Sequence, residues 1–87
     1  MKMNKEFTIN GWKDYIWYEE NSKKDLKRVN KLIKSISRTP YEGLGKPEPL
    51  HGDFSGYWSR RVNEKDRIVY KAINNKIIIL ACRTHYE

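Results

Sequence analysis

The longest regular pattern in the chain is helical. Leu26, Val29, Leu32, Ile33 and Ile36 recur at spacings of three and four, while Lys23, Lys24, Lys27, Arg28, Lys31 and Lys34 fill the rest of the circumference, which is the mark of a helix with one buried stripe. Ser22 stands before this run, and its hydroxyl can accept from the backbone of Asp25 to start the helix. Arg38-Thr39-Pro40 ends it, because the residue before a proline is pushed out of the helical region. Upstream, Trp12, Tyr15 and Ile16 recur at i, i+3 and i+4, predicting a first helix capped by Asn10 and ending near Glu20 and Asn21. The two helices make an αα-hairpin. Lys5 to Ile9 is expected to precede them as a short edge strand, with Phe7 and Ile9 on one face.

From Tyr57 the period changes to two. Tyr57 to Val62, Arg67 to Ile73 and Lys76 to Arg83 read as strands, joined by turns at Asn63-Glu64-Lys65-Asp66 and Asn74-Asn75. The sheet is expected to be mostly antiparallel. Ile77-Ile78-Ile79-Leu80-Ala81-Cys82 has no polar alternation, as in a strand covered on both faces or central in a sheet, with the helices covering one side. In the first hairpin the number of loop residues decides which side chains share a face. An odd loop collects Trp58, Val62, Ile68, Tyr70 and Ala72 on one face and Tyr57, Ser59, Arg61, Arg67 and Lys71 on the other. An even loop mixes Arg67 and Lys71 with Trp58 and Val62. Burial favours the odd register, with Arg60 on the apolar face and Val69 on the polar face as its exceptions.

Between helices and strands, Gly43, Gly45, Pro47, Pro49, Gly52 and Gly56 keep the chain irregular. A loop this long in a small domain tends to be functional, and Tyr41, Leu44, Leu50 and Phe54 are expected to pack it down. The whole is thus an α+β chain, β-α-α-β-β-β, and its 87 residues leave room for one domain over 1–87 and none for a dinucleotide-binding one.

Charge then narrows the function. Eighteen Lys and Arg against eleven Asp and Glu leave a net +7, which favours acidic or nucleic-acid partners over neutral small molecules. Aromatics at 13% exceed what a disordered basic tail carries. The single cysteine, Cys82, cannot form an internal disulfide, and no Cys/His group has the spacing of a zinc site. A reducing cytoplasm fits, and no signal peptide or membrane span is predicted.

The cationic sheet face with Arg61, Arg67 and Lys71, flanked by Arg83 and His85, suits a phosphate backbone, and Tyr57 and Tyr86 could stack on unpaired bases. A solvated basic face carrying chance aromatics is the plain alternative. Cutting RNA requires a base for the 2′-hydroxyl, an acid for the leaving 5′-oxygen and cations around the phosphate. Glu48, held between Pro47 and Pro49, is the candidate base. His85, just past a strand end and titrating near neutrality, is the candidate acid; His51 competes for that role but reads more readily as a binding or structural residue.

Four blocks carry a wider likeness: Arg38-Thr-Pro-Tyr-Glu-Gly-Leu-Gly-Lys-Pro-Glu-Pro-Leu50, Ser55-Gly-Tyr-Trp-Ser-Arg-Arg-Val62, Asp66-Arg-Ile-Val-Tyr70 and Ala81-Cys-Arg-Thr-His-Tyr86. In order and spacing, from Trp12 to Tyr86, the chain resembles the YoeB toxins of the RelE/ParE superfamily. The resemblance implies a RelE/ParE-like, microbial-RNase-like fold and a metal-independent, cofactor-free endoribonuclease that cuts mRNA in the ribosomal A site. It implies Glu48 as general base, His85 as general acid, Arg67 on the scissile phosphate, Arg61 as a second phosphate contact and Tyr86 as a substrate-placing tyrosine. Tyr57, His51 and Arg83 complete the expected substrate surface.

The resemblance further implies a homodimer, a YefM-like antitoxin with a disordered acidic tail, and contact with mRNA and the ribosome; the lack of a long apolar run leaves no membrane partner expected. Two positions depart from the family pattern. His51 stands where members carry a lysine, and Glu87 extends the chain past the tyrosine that usually ends it. A noncatalytic reading stays beside the enzyme: a ParE-like toxin or a plain RNA-binding module would need no acid–base pair.

Overall fold

A computed structural model describes residues 3–84. The chain runs β1 (Asn4–Phe7), α1 (Ile9–Asn21), α2 (Lys23–Arg38), β2 (Glu48–Pro49), β3 (Trp58–Arg61), β4 (Arg67–Ile73) and β5 (Lys76–Thr84), with a 3-10 turn at Gly52–Phe54. The strands form one sheet in the order β1-β5-β4-β3-β2. Neighbours are antiparallel except β1 and β5, which run parallel. The α+β class agrees with the sequence reading. β5 has a strand on either side, which accounts for its unbroken apolar run. Among the described residues no helix is long and apolar enough to cross a membrane.

α2 forms as its pattern predicts. Ser22 Oγ accepts from the Asp25 N–H at 3.3 Å, and Val29, Leu32, Ile33 and Ile36 are buried against Ile68, Tyr70, Ile77 and Ile79 of the sheet. Each such side chain contributes about 1.5–3 kcal/mol by leaving water.

The first strand lies at the sheet edge and α1 ends at Asn21, both as expected, but the junction between them differs. β1 ends at Phe7, and Thr8, not Asn10, caps α1: its Oγ1 accepts from the Gly11 N–H at 3.0 Å. Ile9 is therefore helical and 81% exposed, not paired with Phe7 on a strand face. The buried side of α1 runs through Gly11 and Tyr18, and Trp12 is 51% exposed. The cause is an unusually close seat on β5. A Cβ on Gly11 would overlap the Ile79 carbonyl oxygen, so a glycine is what lets the helix approach. From that seat Thr8 Oγ1 donates to the Leu80 carbonyl at 2.9 Å, and the Asp14 carboxylate accepts from the backbone N–H groups of Cys82 and Arg83 at 3.0 and 3.2 Å. β1 pairs only with residues 76–79 of β5; beyond them α1 satisfies the strand edge with side chains.

Tyr18 completes the junction. Its buried hydroxyl reaches the Cys82 carbonyl at 2.9 Å and Asp66 Oδ2 at 3.2 Å, and burial, followed by the Asp66 charge, holds the phenol far above its ordinary pKa. The β3–β4 register pairs Trp58 with Tyr70, Arg60 with Ile68 and Arg61 with Arg67, leaving the odd loop 62–66 that the parity argument favoured. The β4–β5 turn uses Asn74 and Asn75 at φ 51° and 61°, the left-handed pair of a two-residue hairpin turn.

The long loop is less irregular than expected, since it supplies β2, and it is not packed down by all four apolar residues: Tyr41 and Leu44 are 54% and 40% exposed. Its anchor is Arg60, whose side chain is wholly buried.

Candidate active site

Three rows of side chains cross the sheet face that points away from the helices. β2 pairs Glu48 with Ser59, β3 pairs Ser59 with Val69, and β4 pairs Val69 with Ala81; cross-strand partners share a face, so these four form one row. Arg61, Arg67 and Thr84 form the next, through the pairs Arg61 with Arg67 and Arg67 with Thr84. Lys71 and Ile78 begin the third. Adjacent rows lie about 7 Å apart, two residues along each strand.

Ser59 and Val69 are buried and form the floor. Val69, an exception in the sequence reading, is apolar because this middle row is covered. Around the floor stand the charges. Arg67 Nη1 lies 3.8 Å from Glu48 Oε2, with the guanidinium side chain 23% exposed and the carboxylate side chain 52% exposed. Arg61 is exposed beside Arg67. Its backbone N–H donates to the Gly45 carbonyl at 2.7 Å, tying β3 to the loop three residues before Glu48. Tyr57 lies with its ring 5.1 Å from Lys71 Nζ, a cation–π contact, and Phe54 meets its edge at 6.3 Å. The face thus presents Arg61, Arg67 and Lys71 beside the Glu48 carboxylate, which favours an anion held near Glu48.

His51 is exposed at the start of the 3-10 turn. Arg83 stacks its guanidinium over Trp17 of α1, 3.6 Å from the ring centre. His85 and Tyr86 lie outside the described residues, as does Glu87; the last described residue before them, Thr84, is the backbone partner of Arg67. Among the described residues no group of three His, Cys, Asp or Glu side chains could hold a metal.

Two features escaped the sequence reading. Lys46, two residues before Glu48, sits at φ 54°, a left-handed backbone that is uncommon for a residue with a side chain; the Gly-Lys-Pro run carried no signal for it. Arg60 did carry one, since an arginine assigned to an apolar face must have every donor met inside the protein.

A carboxylate able to accept a proton, flanked by guanidinium groups able to hold a phosphate, sits on an open face. Comparison with known proteins bears on that arrangement. Residues 7–86 match the family described as the YoeB-like toxin of bacterial type II toxin-antitoxin system. The chain is 52% identical to the toxin YoeB of Synechocystis sp. over 81 residues, 93% of this chain and 94% of the relative. Its backbone superposes on the YoeB dimer from Staphylococcus aureus with a TM-score of 0.91 at 41% identity, over 99% of this chain and 100% of that one. A heterotetrameric YoeB–YefM complex from the same organism gives a TM-score of 0.88 at 41% identity, over the same shares of the two chains. With the match spanning nearly the whole chain, this protein belongs to the YoeB-like toxins of bacterial type II toxin–antitoxin systems.

Proposed function

We propose that the protein is a ribosome-dependent mRNA endonuclease of the cytoplasm, cutting message in the A site without a metal. The observation that carries this reading is the Glu48–Arg67 contact of 3.8 Å on the face that also bears Arg61. Glu48 takes the proton of the 2′-hydroxyl, whose oxygen attacks the adjacent phosphorus. The bond to the 5′-oxygen breaks, and His85 gives that oxygen its proton. The products are a 2′,3′-cyclic phosphate, which hydrolysis opens to a 3′-phosphate, and a 5′-hydroxyl.

Arg67 holds the phosphate as charge gathers on it, with Arg61 as a second cation. Tyr86, Tyr57, His51 and Arg83 contact the substrate around this centre. The face alone offers few groups for aligning a flexible RNA, so the ribosome supplies much of the orientation. The partners follow the relatives: a second copy of the chain, and a YefM-like antitoxin whose acidic segment complements the +7 charge.

Mapping message ends in a purified translation system tests the activity. Wild-type protein is expected to produce cuts at A-site codons with 5′-hydroxyl ends. If Glu48→Gln and His85→Gln both inhibit translation as the wild type does, the protein is a noncatalytic ParE-like toxin or RNA-binding module instead.

A further inference from the structure

Arg60 heads the fully buried side chains by volume and is 0% exposed. Its five N–H donors are all taken. Nε donates to Tyr70 Oη at 3.2 Å, Nη1 to Ser35 Oγ at 2.7 Å and the Leu44 carbonyl at 3.0 Å, and Nη2 to the carbonyls of Thr39 and Glu42 at 2.6 and 2.8 Å. A buried cation normally needs a compensating charge. Here carbonyl dipoles compensate it, helped by the C-terminal end of α2, where Ser35 and Thr39 lie and the helix dipole is negative.

The acceptors reveal a purpose beyond stability. Thr39, Glu42 and Leu44 belong to the loop that leaves α2, and Tyr70 Oη adds a bond to the Pro40 carbonyl at 2.6 Å. Gly45 closes the clamp: at φ +88° its missing Cβ would meet Leu32 Cδ2 at 2.7 Å and Arg60 Cβ at 3.2 Å. Everything from residue 39 to residue 45 is thereby fixed to β3 and β4, and Glu48 follows three residues later. Arg60 cannot reach substrate itself, being enclosed with no donor to spare.

We propose that Arg60 is a positioning residue that sets the path of the loop and so places the Glu48 carboxylate beside Arg67. This rests on Glu48 being the base. Arg60→Lys keeps the charge but loses the planar five-donor fork, and Tyr70→Phe, a milder variant expected to fold in any case, removes one acceptor and the bond to Pro40. Cleavage is measured in the purified translation system, in the wild-type and Glu48→Gln backgrounds. In parallel, ¹⁹F spectra of 5-fluorotryptophan protein report Trp58, whose ring lies 4.9 Å from Tyr41 of the clamped loop.

Arg60→Lys is expected to slow cleavage on the order of 10- to 100-fold, as misplacement by about an ångström does, with a smaller loss for Tyr70→Phe and a moved Trp58 resonance in both. In the Glu48→Gln background the same change should add less than about 2-fold, because residues acting through one another are not additive. Equal slowing in both backgrounds, an unmoved Trp58 signal, or unchanged cleavage in both variants would overturn the positioning role. A Glu48→Gln protein that cleaves at the wild-type rate would sink the base assignment itself, a separate and recognisable result.

Discussion

Removing the Arg67 guanidinium tests the site most directly. Its Nη1 lies 3.8 Å from the Glu48 carboxylate, so a phosphate oxygen seated at the same face would lie at similar range. Two unit charges about 4 Å apart interact by ~1 kcal/mol in water and ~4 kcal/mol at an effective dielectric near 20. Arg67 is 23% exposed and Glu48 is 52% exposed, which places the site between those limits, at roughly 2–3 kcal/mol. At about 1.4 kcal/mol per tenfold in rate, Arg67→Ala should slow cleavage by about 100-fold. The backbone pairs of residue 67 with Arg61 and Thr84 survive the change, so folding is expected to persist. The assay is the single-turnover rate of message cleavage on programmed ribosomes, with near-UV circular dichroism as the folding control. Arg67→Lys should recover only part of the loss, since it restores the charge without the fork. A folded Arg67→Ala protein that cuts within about 3-fold of the wild type would refute the phosphate role.

Glu48→Gln and His85→Gln should each slow the same reaction by at least ~100-fold, and together by much less than the product of the two, as for groups that move one proton pair; full multiplicativity would mean they act in separate steps. Burial, then the Asp14 charge, pushes the Cys82 thiol up to about 12 from 9.0. Above pH 9 the unfolded chain ionises its thiol while the folded one keeps the proton, so the unfolded state binds fewer protons and stability falls as pH rises, at ~1.4 kcal/mol per unit. Urea unfolding at pH 10.5 should show about 2 kcal/mol less stability from this thiol than at pH 8, and Cys82→Ala should remove that part of the loss; identical pH slopes for the two proteins would count against it. Gly11→Ala should destabilise by about 1–3 kcal/mol through overlap with β5, although alanine is the better helix former by ~1 kcal/mol. A raised thermal midpoint in that variant would show that α1 sits farther from the sheet.

What could be read from the sequence was whatever depended on apolar periodicity. α2 needed only its stripe and the Ser22 cap, and the shared face of Arg61 and Arg67 followed from parity because burial favours the odd register. α1 exists and ends where its pattern placed it, but its buried face was misread because that face is built from a glycine, a tyrosine hydroxyl and an aspartate. None of these registers as hydrophobic, while the exposed Trp12 does. β2 is two residues in a proline-rich run and exists because β3 offers it an edge. The proximity of Glu48 to Arg67 depends on that edge and on the Arg60 clamp, so residue types alone could nominate the pair but not bring it together. The stacking of the Arg83 guanidinium on Trp17 joins residues far apart in the chain, a contact that no local pattern signals.

The parallel pairing of β1 with β5 and the seat of α1 on β5 have a consequence for biogenesis. Thr8 bonds to Ile79 and Leu80, and Asp14 to Cys82 and Arg83, across sequence separations of 68 to 72 residues. β5 is translated after every element it joins, so the N-terminal helix can meet α2 but has no sheet to dock on while the chain is being made. Contacts that close such long loops form late. The nascent toxin thus cannot complete its fold until β5 emerges, an interval in which a neutralising protein can meet it first.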